Sequence, residues 1–225
     1  MDLEKWLPVY RKIVQDMKFC EEEDVAAGRL LEILGRSLRK ADLEQIRKRI
    51  AGKSTVVAKG PRLRDDLRRL QENKRGPIIS AGSATAEVLK AGIVPYLVVS
   101  DLDGDVQAEV DANAAGAISC IHAHGDNASA LREWVPKFTG EVLLTMQAPP
   151  ISHILNFGGF TDGDRAVELA RHLGARSIEL LGFDFEWVES GNVEQKRKKL
   201  NWARHIIADL NPRDVLLSSL EAGPL

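Results

Sequence analysis

YLVVSDLDGDVQ, residues Tyr96 to Gln107, is a short apolar run that ends abruptly in three carboxylates. Its apolar residues are consecutive rather than alternate, which is typical of a strand covered on both faces within a parallel sheet. Similar runs recur from Ser54 onward, namely STVVA, PIIS, AISCI, EVLLT and SIELLGF. Helical patterns such as ATAEVLKAG and RAVELARHLG lie between most of them, and this alternation predicts right-handed βαβ units. We therefore expect an α/β fold with an open, mostly parallel sheet and flanking helices.

The first part of the chain has a helical pattern instead. Apolar residues recur there at helical spacing, as in the stripe Leu3, Trp6, Leu7, Tyr10, Ile13, Val14 and Met17. Pro8 lies within this stripe and lacks the N–H that a helix interior needs, so we expect the helix to begin near Pro8 or to kink there. The sequence thus divides into an N-terminal helical extension, residues 1–52, and an α/β domain, residues 53–225.

The composition excludes several classes of protein. The chain has 225 residues, of which 44% are hydrophobic and 28% charged, and its formal net charge is -2. It has neither the basic surplus of a nucleic-acid binder nor an apolar run of the roughly 20 residues that span a membrane. The N-terminus lacks a signal-peptide layout, and Cys20 and Cys120 are too few and too distant for a disulfide framework or a zinc motif. We expect a cytoplasmic protein with no nucleic-acid or membrane partner; a homo-oligomeric state stays open.

Polar clusters follow three of the expected strands. SDLDGD follows YLVV, HAHGDN follows AISCI, and FDF follows SIELLG. In open α/β sheets, ligands bind outside the carboxyl ends of the strands. The coincidence of polar residues with strand ends therefore favours an enzyme with its site at this edge.

Asp101 and Asp103 are the expected metal ligands. Residues two apart on an extended backbone lie on the same side, and two adjacent carboxylates repel each other unless a cation joins them. Oxygen-only ligands suit Mg²⁺. Asp105 is expected to cap the following helix, and the alternative is that Asp103 is a capping residue too.

HAHGDN, residues 122–127, allows more than one reading. His122 and His124 share one side of an extended backbone, as a zinc pair would, but a zinc site needs further ligands. We expect His122, His124, Asp126 or Asn127 to contact phosphate, metal-bound water or substrate. The alternative is that Asp126 or Asn127 simply caps the helix ASALREWV.

Two further segments can hold an anion, and a third, at Gly60, has a similar layout. The turn GGFTDGDRA leads into a helix whose exposed N–H groups can bind phosphate, with Arg165 as a clamp; Asp162 and Asp164 can instead be capping residues. The cations Lys196–Lys199 oppose the macrodipole at a helix start, so helix propensity does not account for them; an anionic ligand and a solvated basic turn are equally open explanations. Gly60, at a similar strand–turn–helix entry, is not part of a Walker motif.

Taken together, VVSDLDGD, HAHGDN, GGFTDGDRA, LGFDF and KRKKLNWAR resemble, in order and spacing, the archaeal 6-hydroxymethyl-7,8-dihydropterin pyrophosphokinase family. Its fold is similar to the catalytic domain of thiamin pyrophosphokinase, and the N-terminal helical lead-in extends the likeness over nearly the whole chain. The resemblance implies Mg²⁺-dependent transfer of pyrophosphate from ATP to the pterin, with release of AMP, in pterin biosynthesis of the tetrahydromethanopterin or folate type. Residues 53–225 would be the catalytic domain.

The resemblance also implies roles for residues. Asp101 and Asp103 become metal ligands, the turn from His122 through Gly125 and Asp126 to Asn127 borders the phosphates, and Thr161, Asp162, Arg165 and Asp184 line the site. We expect Gly60, Lys196 and Lys199 to contact the nucleotide, Arg165 to stabilise charge, and His124 or Asp184 to accept the hydroxyl proton. One departure is the segment Ser80–Ala84, where related kinases often have an acidic residue.

Three rival functions remain. A haloacid-dehalogenase-type phosphatase also has DLDG after a strand, but there the next residue is usually Thr and the motif is near the N-terminus. A non-catalytic or sugar-handling module, of the kind tied to flagellin glycosylation, needs no paired metal ligands. A thiamin pyrophosphokinase-like enzyme would keep the chemistry and change the acceptor.

Overall fold

The computed structural model describes residues 2–72, 76–188, 192–209 and 216–219. The strands are β1 Arg39–Lys40, β2 Lys53–Val57, β3 Ile78–Ala81, β4 Leu97–Ser100, β5 Ile118–Ala123, β6 Glu141–Met146, β7 Ser177–Leu181 and β8 Leu216–Ser219. They form one sheet in the order β1-β6-β5-β4-β3-β2-β7-β8, and every neighbouring pair is parallel. The expected α/β class and parallel sheet are confirmed, as are the strands expected from the six apolar runs. β1 and β8 were not expected.

The helices are α1 Leu3–Met17, α2 Glu21–Leu34, α3 Leu43–Ile50, α4 Leu63–Glu72, α5 Thr85–Lys90, α6 Val106–Ala114, α7 Ala128–Trp134, α8 Asp162–His172 and α9 Val193–Arg204. Short 3-10 turns at Gly82–Ala84 and Gly125–Asn127 lead into α5 and α7. No helix in the described ranges is long and apolar enough to cross a membrane.

Helices cover both faces of the sheet. On one face, residues of α1 and α2 such as Trp6, Tyr10 and Leu31 pack with Ile121 of β5 and Leu144 of β6. On the other face, residues of α3 and α8 pack with the opposite sides of the same strands, as Ile46, Leu169, Cys120 and Leu143 do. The N-terminal helices thus share a core with the sheet. The boundary between residues 52 and 53 stays a prediction, and the expected domain extends at its C-terminal end beyond the described residues.

Helix α1 begins at Leu3, so the expected start near Pro8 is wrong. The backbone carbonyl of Asp2 accepts hydrogen bonds from the N–H groups of Lys5 and Trp6, which form the first turn before Pro8. Trp6 is completely buried, and its Nε1 atom donates to the carbonyl of Gln147 at 2.8 Å. This tertiary packing stabilises a turn that the proline alone would disfavour.

The strand order locates the functional edge. The chain passes from β2 through β3, β4 and β5 in one direction, and β7 then returns to the other side of β2. Gly182, with φ +66°, follows β7, and a Cβ atom there would collide with the carbonyl oxygen of Ala58. A Cβ atom at Gly60 would likewise collide with the carbonyl oxygen of Gly182. Glycine therefore lets the ends of β2 and β7 approach at the reversal point where such sheets bind ligands.

Candidate active site

A cluster of carboxylates lies at the carboxyl end of β4. Asp101 and Asp103 follow this strand, and Asp162 is the first residue of α8. One carboxylate oxygen from each lies within 4.8 Å of the others, and in the described part of the chain this is the group of acidic, histidine or cysteine residues that could hold a metal ion. The structure thus brings the two expected ligands together and adds Asp162, which the sequence left as a phosphate-site residue or a cap.

Asp162 faces the cluster because Asp164 performs the capping. The Asp164 carboxylate accepts the backbone N–H of Phe160 at 2.6 Å and that of Thr161 at 2.8 Å, and it also accepts the Thr161 hydroxyl. These contacts satisfy donors before the first turn of α8. Of the two aspartates that the sequence treated alike, one orders the turn and the other points into the site.

Arg165 connects two members of the cluster. Its side chain is only 5% exposed, and Nη1 lies 3.1 Å from Asp162 and 3.4 Å from Asp101. Nη2 donates to the Oε1 atom of Gln147 at 3.2 Å. A buried cation of this kind needs such partners, and in return it compensates part of the negative charge of the cluster.

His124 contacts Asp101 from the neighbouring strand. Its Nε2 atom lies 3.2 Å from Asp101 Oδ2, and its Nδ1 atom accepts the backbone N–H of Asp126 at 3.4 Å. A neutral imidazole with Nδ1 accepting carries its proton on Nε2, which then donates to Asp101. Both ring nitrogens are engaged, so this geometry fits a residue that orients Asp101 better than one that accepts a proton.

The three carboxylates differ in their readiness to ionise. Burial opposes ionisation of Asp101, but the hydrogen bond from His124 and the charge of Arg165 outweigh it and hold the pKa of Asp101 well below its usual range. The negative charge of Asp101, with burial, raises the pKa of Asp103. Burial and then Asp101 raise the pKa of Asp162 well above its usual range. Two of the three groups thus resist ionisation, Asp103 mainly because Asp101 is already charged beside it and Asp162 mainly because it is buried.

The residues present fit a divalent cation. Asp101 Oδ1 is buried and has no hydrogen-bond partner among the described residues. An oxygen-only set of carboxylates, mutually repelling and incompletely neutralised, is what Mg²⁺ prefers. The expected alternative of a zinc pair is not supported, because His122 and His124 are not part of the described cluster.

His122 lies away from the cavities of the site. Its Nδ1 atom is 3.0 Å from the Thr145 hydroxyl, and it lines a small void with Thr145 and Phe157. Burial lowers the pKa of His122 well below its ordinary value, so the ring is neutral. The expectation that His122 contacts phosphate is not supported by this placement.

The Asn127 side chain makes hydrogen bonds to backbone groups of other segments and does not cap α7. Its Nδ2 atom donates to the carbonyls of Asp101 and His122, both at 2.7 Å, and its Oδ1 atom accepts the N–H of His124 at 3.1 Å. The side chain therefore ties the ends of β4 and β5 together. Asp105 is the helix cap that the sequence predicted, since its carboxylate accepts the N–H of Ala108 at 3.4 Å.

The larger of two cavities beside the cluster has a volume of about 430 Å³. It is lined by several of the residues expected in the site, namely Gly60, Asp101, Asp103, Thr161, Asp162, Asp184, Lys196 and Lys199. Phe183 and Phe185 also line it, with ring centroids 6.0 Å apart. Asp184 Oδ1 accepts the backbone N–H groups of Glu186 and Trp187, each at 2.9 Å, so this carboxylate orders the loop after β7.

The lysines of the basic run on α9 lie in two different environments. Lys196 and Lys199 line the larger cavity, and Lys199 Nζ lies 5.9 Å from the centroid of the Phe160 ring. Lys198 instead contacts Asp16 of α1 at 3.4 Å. Lys196 and Lys199 are thus placed where an anion could contact them and Lys198 is not, and the choice between an anion site and a solvated surface stays a prediction.

The smaller cavity, of about 230 Å³, has a wall that the sequence did not predict. The N-terminal segment supplies Lys18, Phe19, Cys20, Glu23 and Asp24, and the turn after β5 supplies His124, Gly125 and Asp126. The remaining lining residues are Asp101, Gln147, Phe160, Arg165 and Lys199. Asp24 holds this wall in place, because it accepts hydrogen bonds from Tyr10 at 2.7 Å, Gln147 at 2.9 Å and the N–H of Gly125 at 2.7 Å.

A parallel α/β sheet with a carboxylate cluster, a buried arginine and paired lysines at its strand ends is typical of enzymes that act on phosphorylated substrates. The chain belongs to the MptE-like family, whose description reads 6-hydroxymethylpterin diphosphokinase MptE-like and whose model matches residues 29–190. This confirms the family resemblance seen in the motifs and the expectation of an enzyme.

Three relatives extend the match to almost the full chain. A protein of Pyrococcus furiosus named 6-hydroxymethyl-7,8-dihydropterin pyrophosphokinase is 39% identical over 219 residues, which cover 92% of this chain and 93% of the relative. Proteins of the same name from Methanocaldococcus jannaschii and Methanothermobacter thermautotrophicus are 33% and 35% identical. Each match covers 92% of this chain, and 95% and 94% of the respective relative.

A solved structure shows a similar fold. The MAf glycosyltransferase from Magnetospirillum magneticum AMB-1 matches with a TM-score of 0.56 at 18% sequence identity. The match covers 91% of this chain, which spans 39% of the glycosyltransferase chain. At this identity the likeness is one of fold alone.

Proposed function

We propose that this enzyme transfers a pyrophosphoryl group from ATP to the hydroxyl of 6-hydroxymethyl-7,8-dihydropterin, giving the pterin diphosphate and AMP, in pterin biosynthesis of the tetrahydromethanopterin or folate type. The names of its relatives support a pterin as the acceptor and pyrophosphate as the transferred group. The observation that carries the proposal for this chain is the carboxylate cluster of Asp101, Asp103 and Asp162, which lines the larger cavity and whose Asp101 also lines the smaller one.

In this proposal, Asp101, Asp103 and Asp162 hold Mg²⁺. When bound there, the ion supplies positive charge to phosphate oxygens. The free Oδ1 atom of Asp101 and the raised pKa values of Asp103 and Asp162 support this assignment, because a cation offsets the burial and the negative charge that keep those two groups from ionising.

The reaction forms a bond between the pterin hydroxyl oxygen and the β-phosphorus and breaks the bond between that phosphorus and the α,β-bridging oxygen, which departs with AMP. Such transfers depend on positioning and on positive charge near the transferred oxygens. Arg165 is held rigidly beside Asp101 and Asp162, and Lys196 and Lys199 line the larger cavity. These cations bind the phosphates and compensate their charge.

The proton of the attacking hydroxyl needs an acceptor, and the two proposed acceptors, His124 and Asp184, lie in different places. His124 lines the smaller cavity but has both ring nitrogens engaged. Asp184 lines the larger cavity and uses one carboxylate oxygen for the loop after β7. The pH profile of kcat for His124→Gln and Asp184→Asn distinguishes them, because loss of the basic limb identifies the acceptor.

The test of the proposed function is the formation of AMP from ATP with a panel of acceptors, with and without Mg²⁺. We expect AMP and the pterin diphosphate with hydroxymethyl-dihydropterin, and little AMP when thiamin replaces it or when EDTA removes the metal. Release of free phosphate would identify a phosphatase instead. A thiamin diphosphate product would show that the acceptor is thiamin rather than the pterin. Absence of metal-dependent turnover with every acceptor tested would favour a non-catalytic module.

A further inference from the structure

The two cavities meet at one place. Among the described residues, Asp101, Phe160 and Lys199 line both, whereas Asp103 lines the larger and His124 the smaller. In a phosphoryl transfer, the attacking and leaving oxygens lie roughly in line on opposite sides of the transferred phosphorus. Two cavities that join beside a carboxylate of the metal cluster therefore correspond to a donor side and an acceptor side.

Size assigns the donor to the larger cavity. The volumes are about 430 Å³ and about 230 Å³. A nucleoside triphosphate is much larger than a bicyclic ring with one short substituent, and the larger cavity also contains Asp103, Asp162, Lys196 and the aromatic ring of Phe183. The smaller cavity is left for the acceptor.

The lining of the smaller cavity suits an uncharged ligand. The smaller cavity is lined by both cations and carboxylates, namely Lys18, Arg165 and Lys199 against Glu23, Asp24, Asp101 and Asp126. The larger cavity has no surplus of cations either, because Lys59, Lys196 and Lys199 face five aspartates there, so the assignment of the donor rests on size. An uncharged heterocycle whose edges carry N–H donors and carbonyl acceptors suits the mixture in the smaller cavity, and the rings of Phe19 and Phe160, with centroids 6.2 Å apart, give it apolar surface.

Two exposed carboxylates of this cavity are available to such a heterocycle, those of Glu23 on the N-terminal wall and Asp126 on the turn after β5. Asp24 is 2% exposed and already accepts three hydrogen bonds. The Glu23 carboxylate makes no hydrogen bond or ion pair within the described parts of the chain. A Cβ atom built at Gly125 would lie 2.8 Å from Glu23 Cβ and 3.3 Å from Glu23 Oε2. The glycine at position 125 thus lets Glu23 pack against the turn that borders the cavity.

On the basis of the proposed function, we propose that the smaller cavity is the acceptor subsite and that Glu23 determines its specificity for pterins. The two oxygens of its carboxylate accept the adjacent 2-amino and N3–H donors of the pterin ring, as carboxylates do for other paired N–H groups. The hydroxymethyl group then lies toward Asp101, where the two cavities join. The N-terminal segment Lys18–Asp24 becomes part of the active site, and thiamin, which lacks this pair of ring donors, is rejected.

The test measures the binding of 6-hydroxymethylpterin, followed through its ring fluorescence, to the full chain and two variants. Glu23→Gln replaces an acceptor by an amide that also presents donors, so we expect the Kd and the KM for the pterin to rise by about tenfold or more. The KM for ATP should not change. Glu22→Gln is the control, because Glu22 is exposed on the same first turn of α2 and lies outside the lining of both cavities. Its pterin affinity should match that of the original chain.

Each outcome separates the inference from the function on which it rests. If the enzyme makes AMP with the pterin but Glu23→Gln binds it normally, or Glu22→Gln weakens binding equally, the subsite is wrong and the function stands. Pterin binding that depends on Glu23 but gives no AMP would support the subsite and refute the transfer reaction. No pterin binding by the unaltered chain would refute both.

Discussion

His124 Nε2 lies 3.2 Å from Asp101 Oδ2, and this contact joins the carboxyl ends of two neighbouring strands, β5 and β4. Arg165 approaches the same oxygen of Asp101 from α8. Both neighbours thus use Oδ2, and Oδ1 is left without a partner among the described residues. The structure fixes the orientation of the carboxylate and leaves one oxygen for a ligand from outside.

Loss of a metal carboxylate should abolish turnover without unfolding the chain. We expect Asp101→Asn and Asp103→Asn each to reduce Mg²⁺-dependent AMP formation by about 100-fold or more, since the charge that binds the cation is removed. Asp103→Asn should keep or slightly raise the melting temperature without metal, because Asp101 repels the Asp103 charge. AMP formation and thermal melting with EDTA measure both effects.

Asp105→Asn is the matched control, because Asp105 lies in the same segment and caps α6 through Ala108. Asparagine caps a helix about as well as aspartate, so near-normal turnover is expected. If Asp105→Asn is inactive while the changes at Asp101 and Asp103 are tolerated, the metal ligands are wrongly assigned.

Replacing Arg165 should affect stability as well as activity. Arg165→Ala removes a buried cation between two partly buried carboxylates, so we expect a loss of about 3–5 kcal/mol in the free energy of unfolding at neutral pH. Denaturant unfolding without metal measures it. Arg132→Ala, on an exposed residue of α7, should change the free energy of unfolding by less than about 0.5 kcal/mol. Equal stability of the two variants would show that the ion pairs at Arg165 contribute nothing.

The strands that could be predicted are those with consecutive apolar residues, such as β4 and β5. Strand β1 could not be predicted, because its two residues, Arg39 and Lys40, are exposed and have no apolar pattern. Only their pairing with β6 makes them a strand. β8 follows the last predicted helix and could not be separated from it by periodicity. The start of α1 at Leu3 could not be predicted either. It depends on the burial of Trp6, and the low helix propensity of Pro8 carries no information about that burial.

The site was predictable where polar residues follow strands. Asp101 and Asp103 were found in this way, whereas Arg165 was expected from the turn before α8; the structure places Arg165 in contact with Asp101. The split between Asp162 and Asp164 was not predictable, because both have the same residue type at the same turn and only the hydrogen bonds from Phe160 and Thr161 distinguish them. The wall around Asp24 and Gln147 was missed because its residues are distant in sequence and meet only in the folded chain.

Glu109 should make stability depend on pH. Its side chain is 1% exposed on α6, and burial, with the charge of Asp101 adding to it, raises the pKa of Glu109 from 4.5 to about 8. The folded state therefore binds a proton that the unfolded state releases above pH 4.5. The contribution is fully present below about pH 4.5 and is lost as the pH rises toward about 8.

Glu109→Gln keeps the shape and stays neutral, so its melting temperature should fall less than that of the original chain between pH 5 and about 8. Glu133→Gln, on an exposed residue of α7, should keep the original pH dependence. Melting curves for the three chains at several pH values in EDTA decide the matter. Parallel curves for the original chain and Glu109→Gln would mean that Glu109 is not held protonated by the fold.

The basic run of α9 should bind nucleotide through only two of its members. We expect the double variant Lys196→Ala/Lys199→Ala to weaken ATP binding by about tenfold at low salt, because both cations line the larger cavity. The loss should shrink at high salt as the charges are screened. The matched control, Arg197→Ala/Lys198→Ala, removes the same charge from outside the cavity lining, where Lys198 contacts Asp16, and should bind ATP nearly as well as the original chain. Calorimetric titration at two salt concentrations compares them. Equal losses in both variants would show that the run acts only through net charge, and unchanged affinity in the first would show that it is a solvated surface.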